Sequence, residues 1–140
     1  DQGARNRAAA MAKCLGVRYL VLDKTRASSG ECIINSECSD LSDKHCVLVD
    51  DILATGKTIL AAVEFLTQQG VEKIAVCVTH ALMLEIGLLQ HPAIKNFYTT
   101  DSIKLQPLHP KMHIIPSSTI LLNTILELGD KFFSTETSAA

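Results

Sequence analysis

Asp50 and Asp51 stand side by side in Val47-Leu48-Val49-Asp50-Asp51-Ile52-Leu53, and Ala54-Thr55-Gly56-Lys57-Thr58 follows at once. Two adjacent carboxylates repel a phosphate, so they suit either sugar hydroxyls or a Mg2+ ion. The small, hydroxylated stretch behind them suits the phosphate itself. Gly56 lets the backbone approach a ligand closely. Thr55 and Thr58 add hydroxyl donors, and Lys57 adds a charge. Backbone N–H groups in such a turn, with a helix N-terminus after it, make an anion site. Phosphate on the turn and sugar on the acids describes a ribose-phosphate site.

Thr55-Gly56-Lys57-Thr58 also matches the end of a nucleotide-binding P-loop. That motif needs a glycine five positions before Gly56, where this chain has Asp51. A carboxylate where bare backbone must wrap the phosphates excludes that reading.

These residues need a scaffold, and the flanking periodicities supply one. The β-branched run before Asp50 reads as a strand, and Ile59, Val63 and Leu66 mark one face of a helix from Ile59 to Gln69. A strand, a turn and a helix in this order place a ligand at the carboxyl end of a parallel strand. Upstream, Asp1 to Leu15 reads as a helix with Ala8, Met11, Ala12 and Leu15 on one face, stopped by Gly16. Val17 to Leu22 reads as a strand, with Asp23-Lys24-Thr25-Arg26 at its end. Ala27 to Lys44 is polar and long for a connection, which suggests a lid or a disordered segment. Lys24 and Arg26 at its base are either a solvated pair or two cations that close over phosphates. Downstream, Lys73 to Val78 reads as a strand apolar on both faces, Ala81 to Leu89 as a helix, and Phe97 to Thr99 and Met112 to Ile115 as strands. Pro116-Ser117-Ser118 caps a helix from Thr119 to Leu128. Such alternation predicts an α/β fold, a mostly parallel sheet flanked by helices, over residues 1–130. Residues 131–140, small and polar from Ser134 to Ala140, read as a disordered tail.

Composition narrows the function. Hydrophobic residues make up 47% of the 140 residues and charged ones 20%, so the chain is globular rather than disordered. A net charge of −2 argues against a nucleic-acid surface and against a basic membrane-binding face. No apolar run reaches the length of a membrane span and no signal peptide is legible. The first residue is Asp1 rather than Met, which reads as a piece of a longer chain. The five cysteines include no C-x-x-C pair; free thiols of this kind suit a reducing cytoplasm. Cys46 and Cys77 read as core hydrophobes, and Cys32 and Cys38 as loop residues rather than a metal pair. The histidines form no ligand set: His109 and His113 are separated by Pro110, which breaks a shared helix face. His80 reads as structural, His45 and His91 as surface residues, and Asp101 as a turn residue.

The Asp50–Thr58 stretch resembles the ribose-phosphate loop of the type I phosphoribosyltransferase fold, with Asp50, Asp51, Thr55 and Thr58 on the usual positions. Asp1-x-Gly3-Ala4, Leu15-Gly16-Val17 and Leu22-x-Lys24-x-Arg26 extend the likeness to the C-terminal domain of ribose-phosphate pyrophosphokinases. It continues through Gly70-Val71-Glu72-Lys73-Ile74 and Thr79-His80. That resemblance implies an enzyme that moves the β,γ-pyrophosphoryl group of ATP to the C1 hydroxyl of ribose 5-phosphate, with Mg2+. It implies Lys24 as the catalytic cation, Arg26 as its companion on phosphate oxygens, and Asp1 as a Mg2+ ligand. Asp50 and Asp51 would hold the sugar, and Ala54 to Thr58 the 5-phosphate. The family also implies a homo-oligomer through the full-length parent, with an N-terminal half that completes the ATP site, so this chain alone should catalyse little. Two departures stand out: Ala54 where many members have an acid, and Lys57 where most have glycine. Lys57 must point outward or crowd the phosphate. Two other readings compete: a phosphoribosyltransferase that consumes phosphoribosyl pyrophosphate, and a non-catalytic regulatory subunit of the same fold.

Overall fold

The computed structural model describes residues 2–26, 32–35, 41, 45–82, 86–105 and 109–134. Asp1, most of the stretch from Ala27 to Lys44 and residues 135–140 lie outside them. So do the side chains of Lys24 and Arg26.

The sequence opens as helix α1 (Gln2–Leu15). It ends where expected, at a left-handed Gly16 (φ +65°). There the Val17 amide reaches back to the Ala12 carbonyl (3.0 Å), the six-to-one closure that a glycine after a helix permits. The next six residues depart from expectation. Val17 to Leu22 form no strand, and Val17, Tyr19 and Leu20 are exposed. A strand needs a neighbour for its ladder, and no described strand lies beside this one. Extended pairing begins instead at β1 (Asp23–Arg26), antiparallel to β2 (Cys32–Asn35), with Lys24 opposite Ile34 and Arg26 opposite Cys32. The apolar patch Cys32-Ile33-Ile34 inside the polar stretch is therefore a strand. It lies against helix α2 (Lys57–Gln68).

The main sheet, among the described residues, has four parallel strands in sequence order: β3 (His45–Leu53), β4 (Lys73–Ala81), β5 (Ile94–Thr100) and β6 (Met112–Ile115). Strands added one after another by crossovers of one hand place the connecting helices on one face. Here those are α2 and the short α3 (Ile86–Gln90). Ile59, Val63 and Leu66 of α2 and Leu88 and Leu89 of α3 pack on Leu53, Ile74, Val76, Ile94 and Phe97 of the sheet. Phe97, Ile74 and Ile94 have no exposure at all. β4 shows the asymmetry: Ile74, Val76 and Val78 are buried, while Ala75 and Cys77 are only half-buried. A strand expected to be buried on both faces is thus buried on the helix side. The helix expected over Ala81–Leu89 does not include Ala81, which still belongs to β4 and pairs with Leu53; α3 is described over Ile86–Gln90.

The last helix, α4 (Ser117–Ser134), runs four residues past the domain end expected at 130. Its cap is not its own serine. Asp101, in the turn after β5, accepts hydrogen bonds from the Ser117 amide (2.7 Å) and hydroxyl (2.5 Å). A carboxylate there complements the positive end of the helix and sits below its ordinary value of 3.8, first through the Ser117 hydroxyl and then the Ser117 N–H. Along α4, Ile120, Leu121, Leu122, Ile125 and Leu126 are exposed. No helix is long and apolar enough to cross a membrane among the described residues.

Candidate functional site

β3 carries Asp50 and Asp51 in its last four residues. Its parallel pairing with β4 continues through Ile52–His80 and Leu53–Ala81, so the chain leaves the sheet at its carboxyl edge with the Leu53 carbonyl accepting from Leu82 N (2.8 Å). Ala54, Thr55 and Gly56 turn it, and Gly56 reaches the left-handed region, φ +76° and ψ −9°. Residues with a Cβ pay steric strain there, and glycine does not.

Gly56 is also the N-cap of α2, and no side chain caps that end. The first amides of a helix have no partner inside it. Here the ladder opens with Leu60 N donating to the Gly56 carbonyl (2.8 Å). The amides before it stand at the positive end of the helix dipole. Asp50, Ala54, Thr55, Gly56 and Thr58 border one concavity of about 100 Å3. Lys57, the first residue of α2, is exposed and does not border it. The outward direction required of its long side chain is the one it takes.

The acids are held by a residue that the sequence reading passed over. Arg7 of α1 places Nη2 3.5 Å from Asp50 Oδ1 and Nη1 3.1 Å from Asp51 Oδ2. Each carboxylate also accepts from the next amide: Asp50 Oδ1 from Asp51 N (2.9 Å), and Asp51 Oδ1 from Ile52 N (2.8 Å). The two acids are driven in opposite directions. Burial pushes Asp50 above the ordinary 3.8, outweighing the Asp51 N–H and the Arg7 charge. At Asp51 desolvation acts upward, but the Ile52 N–H, the hydrogen bond shared with Asp50 and the Arg7 charge together hold it below that value. Local spacing gives no sign of this contact, because α1 and β3 meet only in the fold.

Asp1 and the side chains of Lys24 and Arg26 lie outside the described residues. His80 Nδ1 meets Ser102 Oγ at 2.8 Å, a structural contact between β4 and the turn after β5. His113 lies against Tyr98, ring centroids 4.8 Å apart, with Nε2 3.0 Å from Asn96 Oδ1. Among the described residues Cys14 and Cys77 are free thiols, and Cys46 lies half-buried in β3. Among the described residues no group of three or more His, Cys, Asp or Glu is placed to hold a metal.

A parallel sheet with an acidic strand end and an uncapped helix N-terminus meet at one concavity. The family model of the phosphoribosyl transferase domain matches residues 1–107, and the chain belongs to that family. Within it, ribose-phosphate pyrophosphokinases are similar. That of Pyrococcus furiosus is 39% identical over 124 residues, covering 87% of this chain and 43% of that protein. That of Campylobacter jejuni is 29% identical over 127 residues, covering 89% and 41%. The crystal structure of phosphoribosylpyrophosphate synthetase from Mycobacterium smegmatis shares the fold, with a TM-score of 0.72 at 24% identity over 90% of this chain and 42% of that one. The chain spans about two-fifths of the length of these relatives. The resemblance drawn from Asp50–Thr58 and Leu22–Arg26 is borne out.

Proposed function

We propose that this chain is the sugar-phosphate-binding part of a ribose-phosphate pyrophosphokinase, and that the intact protein transfers the β,γ-pyrophosphoryl group of ATP to the C1 hydroxyl of ribose 5-phosphate, releasing AMP. One observation carries the reading: the concavity joins an acidic strand end to an uncapped helix N-terminus. The 5-phosphate takes the Thr55–Thr58 turn, where amides and hydroxyls donate and the dipole favours an anion. The ribose hydroxyls donate to Asp50 and Asp51, which as carboxylates only accept. Ala54 borders the site and offers no side-chain hydrogen bond, so this edge holds the phosphate through backbone alone.

Lys24 and Arg26 act on the transferred group. Phosphoryl transfer needs alignment and charge neutralisation more than covalent help, and a preorganised cation supplies the latter. Mg2+ fits Asp1, a hard oxygen donor of the kind this ion takes in ones or twos beside phosphate oxygens and water. Asp50 and Asp51 remain for the sugar, because Arg7 already engages both. Bound there, Mg2+ would neutralise the phosphates of ATP. The exposed apolar face of α4 supports assembly of the intact protein into a homo-oligomer, and the free thiols of Cys14 and Cys77 support a reducing cytoplasm.

The test is Lys24→Ala in the intact protein. A cation that acts on charge developing in the transition state lowers kcat and barely touches ribose 5-phosphate affinity. The expected loss is about 10²–10³ in kcat. A kcat within a few-fold of the parent removes the catalytic assignment and favours a non-catalytic subunit of the same fold.

A further inference from the structure

We infer that Arg7 is a positioning residue for sugar recognition: it clamps Asp50 and Asp51 together so that the pair reads the hydroxyls of the sugar, and through them separates ribose 5-phosphate from its deoxy counterpart. This rests on the ribose 5-phosphate reading above.

Consecutive residues of a strand send their side chains to opposite faces. Asp50 and Asp51 are consecutive in β3, yet both carboxylates reach one guanidinium, at 3.5 and 3.1 Å. A planar fork with several N–H groups can hold two acceptors at a fixed separation, which an ammonium cannot. The cation comes from α1, which packs on β3. Arg7 Nε is buried and has no acceptor among the described residues, so the two carboxylates, not α1, hold the side chain in place. The Asp51 and Ile52 amides fix one oxygen of each acid from the backbone side. Arg7 fixes the pair from the other. With both acids anchored, Asp50 at the border of the concavity and Asp51 beside it in β3 are set before a sugar arrives, and their mutual repulsion is offset by one charge between them.

A clamp of this kind acts on the sugar end of the site and not on the phosphate end. Among the described residues the ion pairs of Arg7 are with Asp50 and Asp51, at the sugar end of the site. That separation makes the inference testable in the intact protein by titration with three probes: ribose 5-phosphate, 2-deoxyribose 5-phosphate and inorganic phosphate. The parent should prefer ribose 5-phosphate to 2-deoxyribose 5-phosphate. Arg7→Gln should shrink that preference about tenfold, the size of one lost charge-assisted hydrogen bond, and leave inorganic phosphate affinity within about twofold. Arg7→Lys keeps the charge without the fork and should restore only part of the preference. A preference unchanged in Arg7→Gln overturns the inference while leaving the proposed function standing. So does an equal weakening of all three probes, which marks a merely structural contact between α1 and β3. A parent that binds no ribose 5-phosphate overturns the proposed function and the inference with it.

Discussion

Gly56→Ala tests the turn on which the site depends. At φ +76° and ψ −9° the residue is in the left-handed region, where a Cβ crowds its own carbonyl at a cost of about 1–2 kcal/mol. Packing adds little: a Cβ built on Gly56 meets Leu88 Cδ2 at 3.5 Å, an ordinary contact. The strain therefore sets the magnitude. A chain of this size unfolds with an entropy near 0.3 kcal/mol/K, so the melting temperature should drop by about 3–7 °C. The strained variant can also relax by rotating Gly56 out of the left-handed region. That changes the path of the chain from Gly56, which borders the concavity, into α2 and weakens phosphate binding. Thermal unfolding by circular dichroism, with phosphate titration beside it, reads both effects. Gly56→Asn is the control, because asparagine tolerates this region better than other residues with a Cβ, and it should recover most of the loss. If Gly56→Ala melts with the parent and binds phosphate as well, the left-handed turn is not what shapes the anion site.

Thr58→Ala should raise KM for ribose 5-phosphate with a smaller change in kcat, since the 5-phosphate does not change charge during the reaction and its binding is uniform; steady-state kinetics on the intact protein decides, and a fall in kcat at constant KM refutes it. Asp101 has a depressed value in the fold, so its support of α4 is fully present above pH 3.8 and is lost as the pH falls through its lower folded value. Helical circular dichroism of the parent should therefore fall at that acid step relative to Asp101→Ala, which lacks the cap at every pH; parallel acid titrations of the two proteins would count against the cap.

The split between what local sequence shows and what the fold adds is clearest at the acids. Strand, turn and helix around Asp50 to Thr58 were legible because each depends on near neighbours: β-branched residues for β3, a glycine for φ +76°, and apolar spacing for α2. Met112–Ile115 and the glycine stop at Gly16 were legible for the same reason. Val17 to Leu22 has a strand's composition, and it stays unpaired because strand formation requires a partner that composition does not provide. Ala81 was read as helix from its own neighbours, but pairing with Leu53 in the parallel ladder keeps it in β4. Asp101 looked like a turn residue and is one, but only the approach of β5 to β6 brings it to cap α4. Arg7 was invisible for the strongest reason. Its partners lie on another element, and charge pairing across a fold leaves no period in the sequence. Local chemistry determined what kind of ligand the turn can take; the packing of α1 on β3 decided how its two acids are held.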